Sequence, residues 1–217
     1  MCIRDSHDIK TPLTSIINYV DLLKRENFAD PKIIGYLDIL EAKAQRLKTL
    51  TEDVVEASKV SSGNISLEYM DINLTEMIQQ LSGEFEEKFK SRGLNEVLSL
   101  PAEEVVIRVD GRRMWRVFEN VYNNAAKYAM EGTRVYVDLF VAQNEAIFSI
   151  KNVSEQPLNI QADELTERFI RGDVSRSTEG SGLGLSIAKS LTEMQGGVFE
   201  LYLDGDLFKV TIKFPKV

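Results

Sequence analysis

Apolar residues at Ile9, Leu13, Ile16, Val20 and Leu23 alternate steps of four and three. After an interruption at residues 27–31 the spacing resumes at Ile33, Leu37, Leu40, Ala44 and Leu47, with Thr51 and Val54 continuing it less strictly. A seam with that repeat turns one narrow stripe of a helix toward a partner helix. The amino-terminal part of the chain is therefore a helical hairpin. Two helices with one narrow seam each bury too little surface to stand alone, so a homodimer completing a four-helix bundle is the economical solution. Packing of the hairpin onto the rest of its own chain is the alternative.

Ser61, Ser62, Gly63 and Asn64 break the helix, and the period changes to two at Ile65, Leu67 and Tyr69. This places a domain boundary between residues 1–62 and 63–217. Beyond it the pattern predicts an amphipathic helix (Leu74, Met77, Ile78, Leu81, Phe85, Phe89), a strand at Val105–Val109 and a helix over Arg113–Met130. Strands follow at Thr133–Val141 and Ala146–Asn152, then an irregular stretch to Gly182, a helix over Leu183–Gln195 and a hairpin turning at Asp204–Asp206. Strands joined by hairpins with helices to one side give an α+β chain. Its expected form is a dimeric four-helix bundle followed by an α/β two-layer sandwich.

Charge and composition narrow the function. The chain of 217 residues carries a formal charge of -8, which offers no electrostatic footprint for a nucleic acid. No apolar run approaches the roughly 18–20 residues of a membrane span. A single cysteine, Cys2, excludes an internal disulfide, and a single histidine excludes a zinc cluster. The first residues, Met1–Ser6, do not resemble a signal peptide. Met-Cys-Ile-Arg-Asp is what ATG TGT ATA AGA GAC encodes, the end of a transposase adapter used for sequencing libraries. The expectation is an adapter remnant over residues 1–5 and a natural protein that extends upstream.

Three clusters could carry chemistry. His7 lies two residues before the seam position Ile9, about 200° around the helix, and so is expected to face solvent. Asp8 follows it and Thr11 sits one turn later on the same face. A neutral imidazole can attack with one nitrogen while a carboxylate fixes its tautomer through the other. Pro12 removes a helical hydrogen bond to the Asp8 carbonyl and loosens that turn. In the second cluster Asn120 and Asn124 share a helical face, with Lys127 and Tyr128 a turn further on. Carboxamide oxygens suit Mg²⁺ and lysine suits phosphate, although a solvated polar face has the same pattern. In the third cluster Gly180-Ser-Gly-Leu-Gly-Leu185 opens a helix, where backbone N–H groups and the helix dipole favour phosphate. It is neither a Walker loop nor a dinucleotide fingerprint. The long stretch from Val153 to Gly182 carries Arg168, Arg171, Gly172 and Arg176, which favours a functional lid over plain connection.

Taken together these segments resemble the sensor histidine kinases. His7-Asp-Ile-Lys-Thr-Pro-Leu13 is similar to their phosphoacceptor box, Asn120-Val-Tyr-Asn-Asn-Ala-Ala-Lys-Tyr128 to their asparagine box, Glu167-Arg-Phe-Ile-Arg171 to their phenylalanine box and Gly180–Leu185 to their second glycine box. The resemblance covers essentially the whole chain, in the same order and separation. It implies a Bergerat-type ATP-binding sandwich behind a dimerising bundle. It also implies phosphorylation of His7 by the γ-phosphate of ATP, with Asp8 as polarising base and Thr11 positioning water when the partner is dephosphorylated. Asn124 would coordinate Mg²⁺ with support from Asn120, Lys127 would touch phosphate and Tyr128 would line the pocket. Phe169 and Arg171 would belong to the lid, and Gly180, Gly182, Leu183 and Gly184 would meet the phosphates. The implied partner is a response-regulator receiver domain. The implied location is the cytoplasmic side of the cell membrane, with the membrane reached through upstream segments.

One segment departs from the family pattern. The first glycine box, ordinarily Asp-x-Gly-x-Gly, reads Asn152-Val-Ser-Glu-Gln-Pro157. Asn152 keeps an acceptor oxygen for the adenine amino group but lacks the charge, and both glycines are gone. The expectation is an adenine contact at Asn152 with weaker ATP binding than an intact box provides. Besides an autokinase, a nucleotide-binding signalling module without autokinase activity fits that departure. A topoisomerase- or chaperone-type ATPase is a third class, but it leaves the His7 helix without a purpose.

Overall fold

The computed structural model describes residues 3–26, 28–61, 65–158 and 182–217, with the side chains of 3–10 and 61 outside that description. Helix α1 (Ile3–Arg25) and helix α2 (Pro31–Ser61) form the hairpin. The turn ends where Asp30 caps α2, its carboxylate accepting from Lys32 N at 2.9 Å, and where Pro31 supplies a pre-set first helical residue. Lys24 of α1 reaches Asp38 at 2.8 Å and Glu41 at 2.6 Å on α2, clamping the two arms across the hairpin.

Only half of the expected seam is closed within this chain. Leu13, Val20, Leu37 and Ala44, spaced by sevens, are buried, whereas Ile16, Leu23, Ile33, Leu40, Leu47 and Val54 remain exposed. The alternative of packing onto the same chain also holds in part, at one end. Ala57 joins the hydrophobic core of the second domain and Val60 packs against it.

The second domain is built on a mixed sheet. Strands β1 (Met70–Asn73) and β3 (Val106–Val109) make a small antiparallel pair. The larger sheet takes β2 (Asn95–Ser99), β4 (Arg134–Ala142), β5 (Glu145–Val153), β6 (Val198–Asp204) and β7 (Leu207–Pro215) in the order β2-β4-β5-β7-β6. All neighbours are antiparallel except β2 and β4. The β4–β5 hairpin turns on Gln143 and Asn144, both at positive φ, the two-residue turn that matches strand twist.

Helices α3 (Leu74–Lys90), α4 (Gly111–Tyr128) and α5 (Gly184–Met194) supply the second layer. Asn73 caps α3 by accepting from Thr75 N and Glu76 N, and the four-three spacing of Leu74, Ile78, Leu81, Phe85 and Phe89 buries one face. On α4 the buried face is Met114, Val117, Phe118, Val121, Tyr122 and Ala125, which meets Phe148, Ile150, Val210 and Ile212 of the sheet in one core. The two-layer sandwich is thus as expected. Two details differ: the alternation at Ile65, Leu67 and Tyr69 is extended chain outside any ladder, and β2 is a strand the apolar pattern did not announce.

Candidate functional site

Helix α4 carries the polar cluster of Asn120, Asn124, Lys127 and Tyr128. Its start is fixed by Asp110, whose carboxylate accepts from Arg113 N at 3.1 Å and from Glu68 N at 3.0 Å. Burial pushes the Asp110 carboxyl up, but those N–H donors and the Arg113 charge outweigh it and hold the group below its ordinary value. The Asp110 backbone N–H in turn donates to Gln195 Oε1 at 2.8 Å, just beyond the end of α5. The start of α4 and the end of α5 are therefore tied to each other.

Asn120 is buried, while Asn124, Lys127 and Tyr128 are half-buried along the same stripe. The solvated-face reading fails for Asn120, because its Nδ2 is buried with no hydrogen-bond partner among the described residues. A buried donor left open costs roughly 1–3 kcal/mol unless something meets it. Facing it is the first residue of α5: a Cβ on Gly184 would come within 3.3 Å of Asn120 Oδ1, so glycine lets the helix start approach the carboxamide. Gly182 has φ +73, a left-handed turn that glycine adopts without strain, and it swings the chain into α5. Leu183, at the cap position, gives that helix start no side-chain cap, and a helix N-terminus favours an anion. The Lys127 ammonium lies 5.5 Å from the Tyr128 ring centroid, at the last turn of α4.

Asn152, on β5, is also buried. Its Nδ2 donates to Val153 O at 3.1 Å, which fixes the carboxamide, and its Oδ1 is left buried without a partner among the described residues. The site therefore holds an open donor at one carboxamide and an open acceptor at the other. A purine amino group could satisfy the second and a phosphate oxygen the first. These residues fit an adenine nucleotide, and the Asn120/Asn124 oxygens fit a hard cation that comes with its phosphates.

The structure carries the helical backbone of α1 through His7 and Asp8, whose side chains lie outside the described ones, and shows Thr11 exposed one turn on. Phe169, Arg171 and Gly180 lie outside the described residues. Sequence reasoning missed the joint between hairpin and second domain. Arg116 of α4 binds Asp53 at 2.6 Å, Glu56 at 3.2 Å and Glu119 at 2.8 Å, and Arg113 binds Glu56 at 3.0 Å. Burial weakens the Arg116 charge, yet Glu119, Asp53 and Glu56 together raise its pKa above the ordinary value. The signal was present as two charges three apart on each helix, of opposite sign.

Comparison with known proteins bears on both parts. Residues 6–63 match the His Kinase A (phospho-acceptor) domain, and residues 109–216 match the histidine kinase-, DNA gyrase B- and HSP90-like ATPase family. The chain is 32% identical over 195 residues to the sensor protein VanS of Enterococcus faecium, covering 88% of this chain and 50% of that protein. It is 31% identical over 214 residues to VanSC of Enterococcus gallinarum, covering 97% and 59%. The chain thus spans little more than half the length of these curated relatives. Among solved structures, full-length ShkA in complex with AMPPNP superposes with a TM-score of 0.80 at 20% identity, over 98% of this chain and 44% of that one. The Acinetobacter baumannii histidine kinase AdeS superposes with a TM-score of 0.67 at 21% identity, over 96% and 97%.

Proposed function

The chain belongs to the sensor histidine kinase family, and from that membership we propose that it is an ATP-dependent autokinase that phosphorylates His7 and passes the phosphoryl group to an aspartate of a response-regulator receiver domain. The observation that carries the proposal is the pair of buried carboxamide atoms, Asn120 Nδ2 and Asn152 Oδ1, without a partner among the described residues, in a chain that also bears the phospho-acceptor helix. In this reading residues 1–62 are the dimerising phosphotransfer hairpin and residues 63–217 the nucleotide-binding domain. The exposed half-seam is the face that a second copy covers.

Asn152 Oδ1 accepts from the adenine amino group, Tyr128 lines the pocket, and Lys127 neutralises phosphate. Gly180, Gly182, Leu183 and Gly184 offer backbone contact to the phosphates, with Phe169 and Arg171 in the lid. Asn124, supported by Asn120, is the protein ligand for Mg²⁺, which when bound neutralises charge on the transferring phosphoryl group. The His7 imidazole attacks the γ-phosphorus with one nitrogen and ADP leaves with the bridging oxygen, while Asp8 accepts a hydrogen bond from the opposite N–H. The receiver carboxylate then takes the phosphoryl group and the imidazole is regenerated. Thr11 positions water for the reverse, dephosphorylating duty. Little covalent help is needed in such a transfer, and positioning with charge neutralisation accounts for most of it. No helix of the described residues is long and apolar enough to cross a membrane. In the parent protein these domains sit on the cytoplasmic face, hung from upstream segments.

Incubation with Mg²⁺ and γ-labelled ATP tests this, with His7→Gln and Asn124→Ala beside the parent chain. The expected label is acid-labile, alkali-stable and absent from both variants. A dimeric chain that binds ATP yet takes no label is a nucleotide-binding module without autokinase activity.

A further inference from the structure

One arginine that no motif marks ties the base end of the cleft to its phosphate end. Arg92, in the turn between α3 and β2, donates from Nη1 to the carbonyls of Ala126, at 3.1 Å, and Lys127, in the last turn of α4. Its Nη2 donates to Glu155 Oε2 at 2.8 Å. Glu155 stands three residues after Asn152 and is itself held, its N–H donating to Tyr128 O at 2.8 Å. Between them, Met130 N donates to Val153 O at 2.8 Å and Ala129 bridges Ser154. Ser154 N donates to Asp206 O at 2.7 Å, in the turn between β6 and β7. The residues that follow Asn152 are thereby zipped to the end of α4, and the guanidinium closes the zip.

The chemistry suits arginine and no other side chain. A helix ends in open carbonyls and partial negative charge, and a planar fork can satisfy two carbonyls while a second amino group grips a carboxylate. The side chain is about a quarter exposed, at 27%, so water competes only in part. Ser154 and Gln156 stand where the resemblance to the kinase family leads one to expect glycines, and the segment that would be a free hinge is a pinned strap.

We infer that Arg92 is a positioning residue of the nucleotide site, an inference that rests on the nucleotide reading above. It holds the last turn of α4, with Lys127 and Tyr128, at a fixed separation from Asn152, so that base and phosphate enter a preset cleft. Presetting lowers the ordering cost of binding, and its loss shows in affinity more than in the chemical step.

The test uses the full chain and four variants, Arg92→Ala, Arg92→Lys, Glu155→Gln and Asn124→Ala. It measures the Kd of a fluorescent ATP analogue, the KM and kcat for Mg²⁺-ATP, and the melting temperature of each. Arg92→Ala is expected to raise Kd and KM about tenfold, the equivalent of roughly 1.4 kcal/mol, with kcat at saturation within about twofold of the parent. Glu155→Gln gives a smaller rise in the same direction. Arg92→Lys recovers part of the affinity, because an ammonium keeps the carboxylate but cannot fork across two carbonyls. A parental Kd in folded Arg92→Ala, with only the melting temperature lowered, overturns the inference and leaves a structural brace. A loss confined to kcat overturns it as well. If Asn124→Ala also leaves ATP affinity and activity intact, the nucleotide reading itself falls and takes this inference with it. If Asn124→Ala is impaired while Arg92→Ala is not, only the inference falls.

Discussion

At the scale of single residues, the informative atoms are those whose hydrogen bonds stop short. Asn152 Oδ1 has no partner among the described residues, and the carbonyl that accepts from its Nδ2, Val153 O, already accepts from Met130 N at 2.8 Å. Asn152→Leu therefore orphans nothing. It is expected to leave the melting temperature of the ligand-free chain nearly unchanged while weakening ATP-analogue binding about tenfold, one hydrogen bond's worth. Calorimetric titration beside a thermal melt checks both, and unchanged affinity would refute Asn152 as the base contact. Asp110 makes a second prediction, through pH. Its folded-state pKa lies below the ordinary 3.8, so its contribution to stability is complete above that value and is lost as pH falls through the depressed one. Asp110→Asn is thus expected to be less stable than the parent at neutral pH. The gap should close on the acid side of pH 3.8, as read from denaturant melts across the acid limb. A gap that stays constant with pH would show that the carboxylate's charge is irrelevant to its cap. Much of this site was legible because carboxamides and lysine repeat at helical steps on α4, Asn120, Asn124 and Lys127. Arg92 was not, because its partners are mostly backbone carbonyls distant in sequence, and a carbonyl leaves no residue-type signature.

Between elements, the decisive contact is the joint of α2 with α4. The Asp53 side chain is 7% exposed, and it pairs with Arg116, itself 25% exposed, at 2.6 Å. Removing the arginine takes one ion pair from a largely buried carboxylate, whereas removing both charges leaves only packing. Arg116→Met is expected to cost about 2 kcal/mol, a buried-pair loss discounted for the exposed quarter of the arginine. Asp53→Asn combined with Arg116→Met should restore most of it in urea melts. An additive double variant would mean that the two groups do not sense each other. This joint also shows where the apolar pattern runs out. The strict seam weakens at Thr51 and Val54 as α2 approaches the second domain, which it meets through ion pairs from Asp53 and Glu56 to α4 and through Ala57 and Val60 on the core. Strand β2 escaped for a related reason. It is an edge strand with Val97 and Leu98 between polar residues, and edge strands need no continuous apolar run.

For the whole molecule, the hairpin's burial pattern is the unfinished part. A helix pair whose every second seam position is covered and every other exposed is half of a bundle. The covered set, Leu13, Val20, Leu37 and Ala44, meets across the hairpin, and the exposed set, Ile16, Leu23, Ile33, Leu40 and Leu47, repeats at the same interval of seven. Tyr19 and Tyr36 are also exposed, three residues from Ile16 and Ile33, and widen that apolar face. In the proposed dimer an isologous second copy would cover that face without asking anything of the sheet or of α4, which would make dimerisation and nucleotide binding separable. Leu40→Glu with Leu47→Glu places like charges at the centre of the bundle from both copies. The double variant is expected to sediment as a monomer where the parent sediments as a dimer, and to bind an ATP analogue with the parental Kd. A monomeric parent would deny the shared bundle. Loss of nucleotide affinity in the charged variant would instead show that the hairpin reports its pairing through α2, Arg116 and α4 to the cleft.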